Sequence, residues 1–291
     1  MWKPLLAGAV ALAAGATACS SGSVSKSGLT VGVENPPPPP RGAFVLGGES
    51  GSRAVALAVT PRRLTATVLS PDGGPLSGLK VSFVAGSRVV QAHQCGAGCY
   101  SARAPRASRV VVRPSGSKPV VFDLPAKPRP GTAVVARAAR VTRALKSLVY
   151  LESLRSGPKG GLLTTWELQA PDELEYRIRG GASAIVLGER RWDRDRAGAP
   201  WRRSQQLPAL RVPQPAWGSR ATNAYILRDG RVDGRPVWVV SFANPSTPAW
   251  FTAWVDRSTY RPLRLHMTAA AHFMTHRYLE FDRPLAIRPP R

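Results

Sequence analysis

Between residues 43 and 125 the chain alternates short apolar runs with polar turns. The runs are AVALAV, LTATVL, LKVSFVAG, SRVVQAH, SRVVVRP and PVVFDLP. Between two of them, SPDGGPL carries the Pro, Asp and Gly of a tight turn. Several short strands at this spacing predict an antiparallel sandwich. The stretch PAKPRPGT then reads as a joint, with residues 126–132 as the linker. Beyond it the period changes. Val134, Ala138, Val141, Leu145, Leu148 and Leu151 recur at spacings of three and four, with Arg137, Arg140, Arg143 and Lys146 between them. That pattern predicts one amphipathic helix over 133–156, capped by Thr132 and stopped by Gly157 and Pro158. From residue 162 onward, strand-like runs and turns alternate again, so the chain is mainly β.

The first residues follow a different logic. Lys3 precedes the apolar run PLLAGAVALAAGATA, too short to cross a bilayer, which takes about 20 residues. It fits the hydrophobic region of a secretory signal covering 1–18. The residues ATAC, Ala16 to Cys19, resemble a bacterial lipobox with alanine where leucine is usual. The resemblance implies lipidation of Cys19 and a lipid anchor at the membrane surface; ordinary cleavage after Ala18 is the alternative. Residues 19–42 follow as a tether, Ser- and Gly-rich and then stiffened by Pro36 to Pro40. The expected location is extracytoplasmic, on the cell membrane.

Two resemblances give the folded parts a fold class. LTATVLSPDGGPLSGLKVSFVAG resembles the immunoglobulin-like modules of bacterial envelope proteins, YtkA-like ones included, which implies an immunoglobulin-like sandwich over 43–125. In the remainder, APDELEYRI, AIVLGERRWDRD, GRPVWVVSF, AWFTAWVDRSTYRPLRLHM and FDRPLAIRPP follow one another in an order that resembles the lipoprotein-carrier superfamily. That superfamily includes the LolA-like carriers and the LppX/LprG-type lipoproteins. The resemblance implies an α+β half-barrel over 133–291, a curved antiparallel sheet closed by helix over an apolar cavity. It also implies a non-catalytic protein that binds or carries a lipid or other apolar ligand. Trp166, Trp192, Trp238, Trp250, Trp254 and Phe273 are the candidate lining of that cavity. The alternative is that they simply form a core. A structural envelope module without ligand is the third possibility.

Composition narrows the partners. A formal net charge of +24 rests on 41 basic residues against 17 acidic ones. Such a balance favours an anionic lipid surface, although a compositional bias spread over solvated surface explains it equally well. No nucleic-acid-binding module is recognisable, so nucleic acid is not an expected partner.

The chemistry-bearing residues are few. Cys95 and Cys99, in HQCGAGCY, are the cysteines left after Cys19. An oxidising compartment makes a disulfide the first expectation, with Gly96 and Gly98 allowing the tight turn. A copper site using the thiols and His93 is the competing reading. HMTAAAHFMTH, residues 266–276, holds three of four histidines and two of three methionines. Read as one strand, it puts His266, His272, Met274 and His276 on one face and Leu265, Met267, Ala269, Ala271 and Phe273 on the other. Imidazole and thioether donors together suit copper, so those four are the alternative metal site. No nucleophile elbow, phosphate loop or dinucleotide fingerprint is present, and no enzymatic activity is expected.

Overall fold

The computed structural model describes residues 35–103, 107–218, 220–244 and 248–290, all within one compact unit. The signal, the lipobox cysteine and most of the tether lie outside the described residues. Among those described, no helix is long and apolar enough to cross a membrane.

The first part is a sandwich. Its strands are β1 (Phe44–Ser50), β2 (Arg53–Val59), β3 (Arg63–Leu69), β4 (Val81–Ala85), β5 (Arg88–Gln91), β6 (His93–Gly96), β7 (Cys99–Arg103), β8 (Arg109–Pro114) and β9 (Val120–Asp123). They form one sheet in the order β1-β2-β3-β7-β6 and a second in the order β5-β4-β8-β9. From β2 onward this is the strand order of an immunoglobulin-type sandwich with an extra strand at the edge of each sheet. Alternate residues explain its core: Val55, Leu57, Leu64, Ala66, Val68, Phe83, Tyr100, Val110 and Val112 point inward from both sheets. The Tyr100 hydroxyl, buried there, donates to the Leu76 carbonyl at 2.6 Å and accepts from the Leu79 N–H.

The second part is a single antiparallel sheet with one helix. After β10 (Arg129–Pro130) and α1 (Thr132–Arg143) come β11 (Ser147–Arg155), β12 (Leu162–Gln169), β13 (Glu173–Ile178), β14 (Ser183–Leu187), β15 (Arg190–Arg194) and β16 (Arg202–Gln205). They are followed by β17 (Thr222–Val232), β18 (Arg235–Asn244), β19 (Ala249–Asp256), β20 (Pro262–Ala269) and β21 (His272–Phe281). The twelve strands run in the order β10-β17-β18-β19-β20-β21-β11-β12-β13-β14-β15-β16. Ile226 on β17 and Val186 on β14 stand eight strands apart yet share one core cluster with α1. The sheet is curved, a half-barrel whose inner face carries the helix.

The helix is half as long as its sequence period predicts. It ends at Arg143, and 147–155 is strand. The sequence SLVYLESLR also carries a period of two, burying Leu148, Tyr150 and Glu152 on the inner side. Short apolar runs fit either period, and here pairing on both edges with β12 and β21 decides for strand. The N-cap is Gly131 rather than Thr132, and it makes no side-chain cap. Glycine is required there by close approach: a Cβ would meet Val240 Cγ1 at 2.9 Å and the Ile226 nitrogen at 3.0 Å.

The two parts share an interface. Ala43, just before β1, and Val45, Ala54, Ala56 and Ala58, on the outer side of β1 and β2, cluster with Ala243, Trp250 and Phe273 of the half-barrel. Small residues let the sheets approach closely. A Cβ on Gly47 would lie 2.7 Å from Thr268 Cβ. At the rim, Arg155 Nη2 meets Glu49 Oε1 at 2.6 Å. The end of the expected tether also packs onto the fold. Asn223 Nδ2 donates to the carbonyls of Pro40 (2.9 Å) and Ala43 (2.8 Å), and the Tyr225 hydroxyl donates to the Gly42 carbonyl.

Candidate functional site

The inner face of the half-barrel changes character from one side to the other. Under α1 it is aliphatic and tightly covered. Val134, Val135, Ala138 and Ala139 of the helix pack with Val240, Phe251, Ala253 and Leu265, and Trp217 of the segment before β17 stacks edge-on against Phe242 at 5.5 Å. Toward β13 the face becomes aromatic. Strand pairing sets Tyr278, Tyr150, Trp166 and Tyr176 side by side across β21, β11, β12 and β13. Their ring centroids are 5.6, 5.9 and 5.0 Å apart in sequence, and the Tyr150 and Trp166 rings are stacked within 10° of parallel. Cross-strand neighbours come close enough for such contacts only when pairing puts them opposite one another.

The next row along the same strands is polar. His276 and Glu152 face each other across β21 and β11, with His276 Nε2 2.9 Å from Glu152 Oε2. Their side chains are 4% and 8% exposed, so the pair is shielded from solvent. An ionised carboxylate only accepts, which makes Nε2 the donor, and Nδ1 faces the Tyr278 hydroxyl at 3.4 Å. The imidazole packs on Tyr150 at 4.6 Å. Burial raises the phenol pKa of Tyr150 well above its ordinary value, with the Glu152 charge acting in the same direction. Burial and Glu152 raise that of Tyr278 as well. Both phenols stay protonated. Beside them the Trp166 indole N–H is buried without a hydrogen-bond partner among the described residues.

Beyond Tyr176 the face is charged. Arg191 Nε and Nη2 donate to Asp193 at 2.7–3.0 Å, and Arg191 Nη1 donates to Gln206 Oε1 at 3.2 Å. Burial raises the Tyr176 pKa against the opposing pull of Arg191. The inner face thus runs from aliphatic to aromatic to ionic, with the half-buried Tyr176, Arg191 and Asp193 at its open end.

The tryptophans expected to line a cavity divide between the two faces. Trp166 and Trp238 are on the inner side; Trp238 sits at its edge against Tyr260 and the Arg257 guanidinium. Trp250 and Phe273 point outward into the interface with the sandwich. Trp254 packs outward on Val237, Val239 and Leu263. Trp192 pairs with Ile185, opposite in parity to the inner Val186, and lies 5.8 Å from the Arg190 guanidinium. Trp192, Trp250, Trp254 and Phe273 therefore do not line the inner face. Tryptophan content alone could not separate the two sides of a sheet that is covered on both.

The stretch 266–276 is a hairpin and not one strand. β20 ends at Ala269, β21 begins at His272, and these two residues pair across a two-residue turn in which Ala271 has φ +53°. Crossing the turn reverses the parity. His266 pairs with Thr275 and faces outward, where the charges of Glu49 and Arg155 act on it. His272, Met274 and His276 share the inner parity with Met267 and Leu265. The four expected copper donors are therefore split, His266 from the rest, and His276 is engaged with Glu152. Among the described residues no group of three or more His, Cys, Asp or Glu converges as a metal site would. Cys95 and Cys99 are joined as a disulfide, and His93, two residues before Cys95, pairs with Ser101.

Tyr150, Glu152, Tyr176 and Tyr278 were invisible as site residues in the sequence, because the first two lay in the segment read as helix. The alternation Leu148, Tyr150, Glu152, Leu154 was the available signal.

No protein-family model matches the chain, and no curated protein matches it. Among solved structures it is similar to the lipoprotein LppX of Mycobacterium tuberculosis, at 14% identity and TM-score 0.42 over 54% of this chain and 97% of that one. LprF from Mycobacterium bovis is similar at 12% identity and TM-score 0.41, over 55% and 96%. A LolA superfamily protein from Nitrosomonas europaea matches at 13% identity and TM-score 0.27, over 54% and 95%.

Proposed function

We propose that this protein is a membrane-anchored extracytoplasmic lipoprotein, non-catalytic, that binds a lipid or other apolar ligand on the inner face of its half-barrel. The observation that carries the reading is the row Tyr278, Tyr150, Trp166, Tyr176 with an unpartnered indole N–H beside it. An aromatic platform ending in a few polar groups is how apolar ligands are held and oriented. Acyl chains placed there gain about 0.8 kcal/mol for each methylene removed from water. The indole N–H and the charged Arg191 end would take the polar head.

The disulfide supports an oxidising compartment, and the lipobox-like ATAC supports the anchor through Cys19.

Titration with a fluorescent fatty acyl probe tests the reading. Saturable uptake is expected, weakened about tenfold or more by Trp166→Ala and Tyr176→Ala. Uptake that is absent, or indifferent to both substitutions, would refute it.

A further inference from the structure

The sandwich carries a feature unrelated to the half-barrel. Arg63 on β3 and Arg103 on β7 are direct cross-strand partners. Like charges placed opposite one another destabilise a sheet, and among the described residues neither arginine is paired with a carboxylate. Strands β3, β5, β6 and β7 contain no acidic residue at all. One row further along, Ser101 pairs with His93 on β6 and with Thr65 on β3, on the same side of the sheet as the arginines. Arg63 Nη1 stands 3.5 Å from Ser101 Oγ. Arg63, Arg103, Ser101 and His93 edge a groove of about 480 Å³, whose other walls are Gln91, Val90 and Ala102.

We propose that this groove binds a phosphate group. The two guanidinium forks supply planar pairs of donors, while the Ser101 hydroxyl and the His93 imidazole add donors from the adjacent row. A tetrahedral phosphate can accept from all of them at once; a carboxylate, with two oxygens in one plane, satisfies only one fork. The bound anion removes the repulsion between Arg63 and Arg103, so the free protein holds a facing pair of cations that the complex relieves. Val90 and Ala102 beside the charged groups leave room for an apolar substituent on the phosphate. The source is accordingly either a lipid headgroup or a soluble phosphate. The inference is independent of the ligand on the inner face.

Isothermal titration of the full chain at low ionic strength tests it, using inorganic phosphate in one arm and short-chain dihexanoyl phosphatidylglycerol in the other. Phosphate is expected to bind at least tenfold tighter than acetate, and Arg63→Gln/Arg103→Gln is expected to lose at least tenfold in both arms. The control Arg140→Gln/Arg143→Gln removes the same charge from α1 and should keep the affinity. Tighter binding of the diester assigns the site to a lipid headgroup, and equal or weaker binding assigns it to soluble phosphate. Without phosphate, the groove variant should melt no lower than the parent, because it removes facing cations. Equal binding of acetate, an unaffected groove variant, or an equal loss in the α1 control would each overturn the proposal.

Discussion

His276 Nε2 and Glu152 Oε2 lie 2.9 Å apart with both side chains more than nine-tenths buried, on neighbouring strands at the centre of the half-barrel's inner face. Removing one member of a buried pair leaves the other charged or polar group without a partner, at about 3–5 kcal/mol. Glu152→Leu and His276→Leu should therefore each lower stability by about that much in chemical denaturation. The double Leu variant should recover most of the loss, since apolar replacement of both partners is often neutral or better. A double variant as unstable as the worse single one would show that the pair holds more of the fold than its own contact.

Asp256 is buried yet held as a carboxylate. Burial opposes its ionisation. Hydrogen bonds from the Ser258 hydroxyl and the Thr259 N–H and hydroxyl, together with the Arg235 charge, prevail and hold its pKa at about 2. Since the folded value lies below the ordinary 3.8, the stabilisation is complete above that pH and is lost as pH falls toward 2. The difference is worth about 2 kcal/mol. Asp256→Asn should cost about this much at pH 6 and flatten the acid limb of the stability–pH curve. Parallel acid limbs in the two proteins would contradict the assignment.

His266 should give a second and separate pH dependence. Burial lowers its pKa below the ordinary 6.5, with Arg155 acting in the same direction and Glu49 against it. The neutral form is favoured in the fold, so stability should decline as pH drops below 6.5 and the unfolded imidazole takes up its proton first. His266→Asn should remove that decline. An unchanged slope between pH 6.5 and 5 would place the titration elsewhere.

Gly47 marks where the sandwich meets the half-barrel. Its Cβ-less backbone runs against Thr268, and Gly47→Ala should cost about 1–3 kcal/mol through overpacking. A melting temperature equal to that of the parent would mean the interface can open at no cost.

The disulfide closes a very small loop, for which chain entropy allows about 2 kcal/mol. Two free thiols by mass after aerobic purification would contradict it, as would reduction that leaves stability unchanged.

The sheet content was legible because most runs alternate or end at Gly, Pro and Asp turns. Within AWFTAWVDRSTYRPLRLHM, β19 ends at Asp256, whose carboxylate accepts from Ser258 and Thr259. What escaped were features decided by neighbours in space. The segment 147–155 fits both helical and strand periods, and only pairing on its two edges selects one. The pair Ala270 and Ala271 has no strong turn signature, so the one-strand reading misses the hairpin and separates His272, Met274 and His276 from Leu265 and Met267, whose inner face they share. Which face of the curved sheet meets the sandwich depends on Gly47 and the alanines of β1 and β2, far from the tryptophans they sort.

The most direct test of the central claim is native mass spectrometry of the full chain released gently from its own membrane. The account predicts a discrete apolar adduct of lipid mass, reduced in the Trp166→Ala variant and absent once the protein has been delipidated. An adduct-free spectrum from freshly extracted protein, with no adduct formed on adding lipid back, would contradict it.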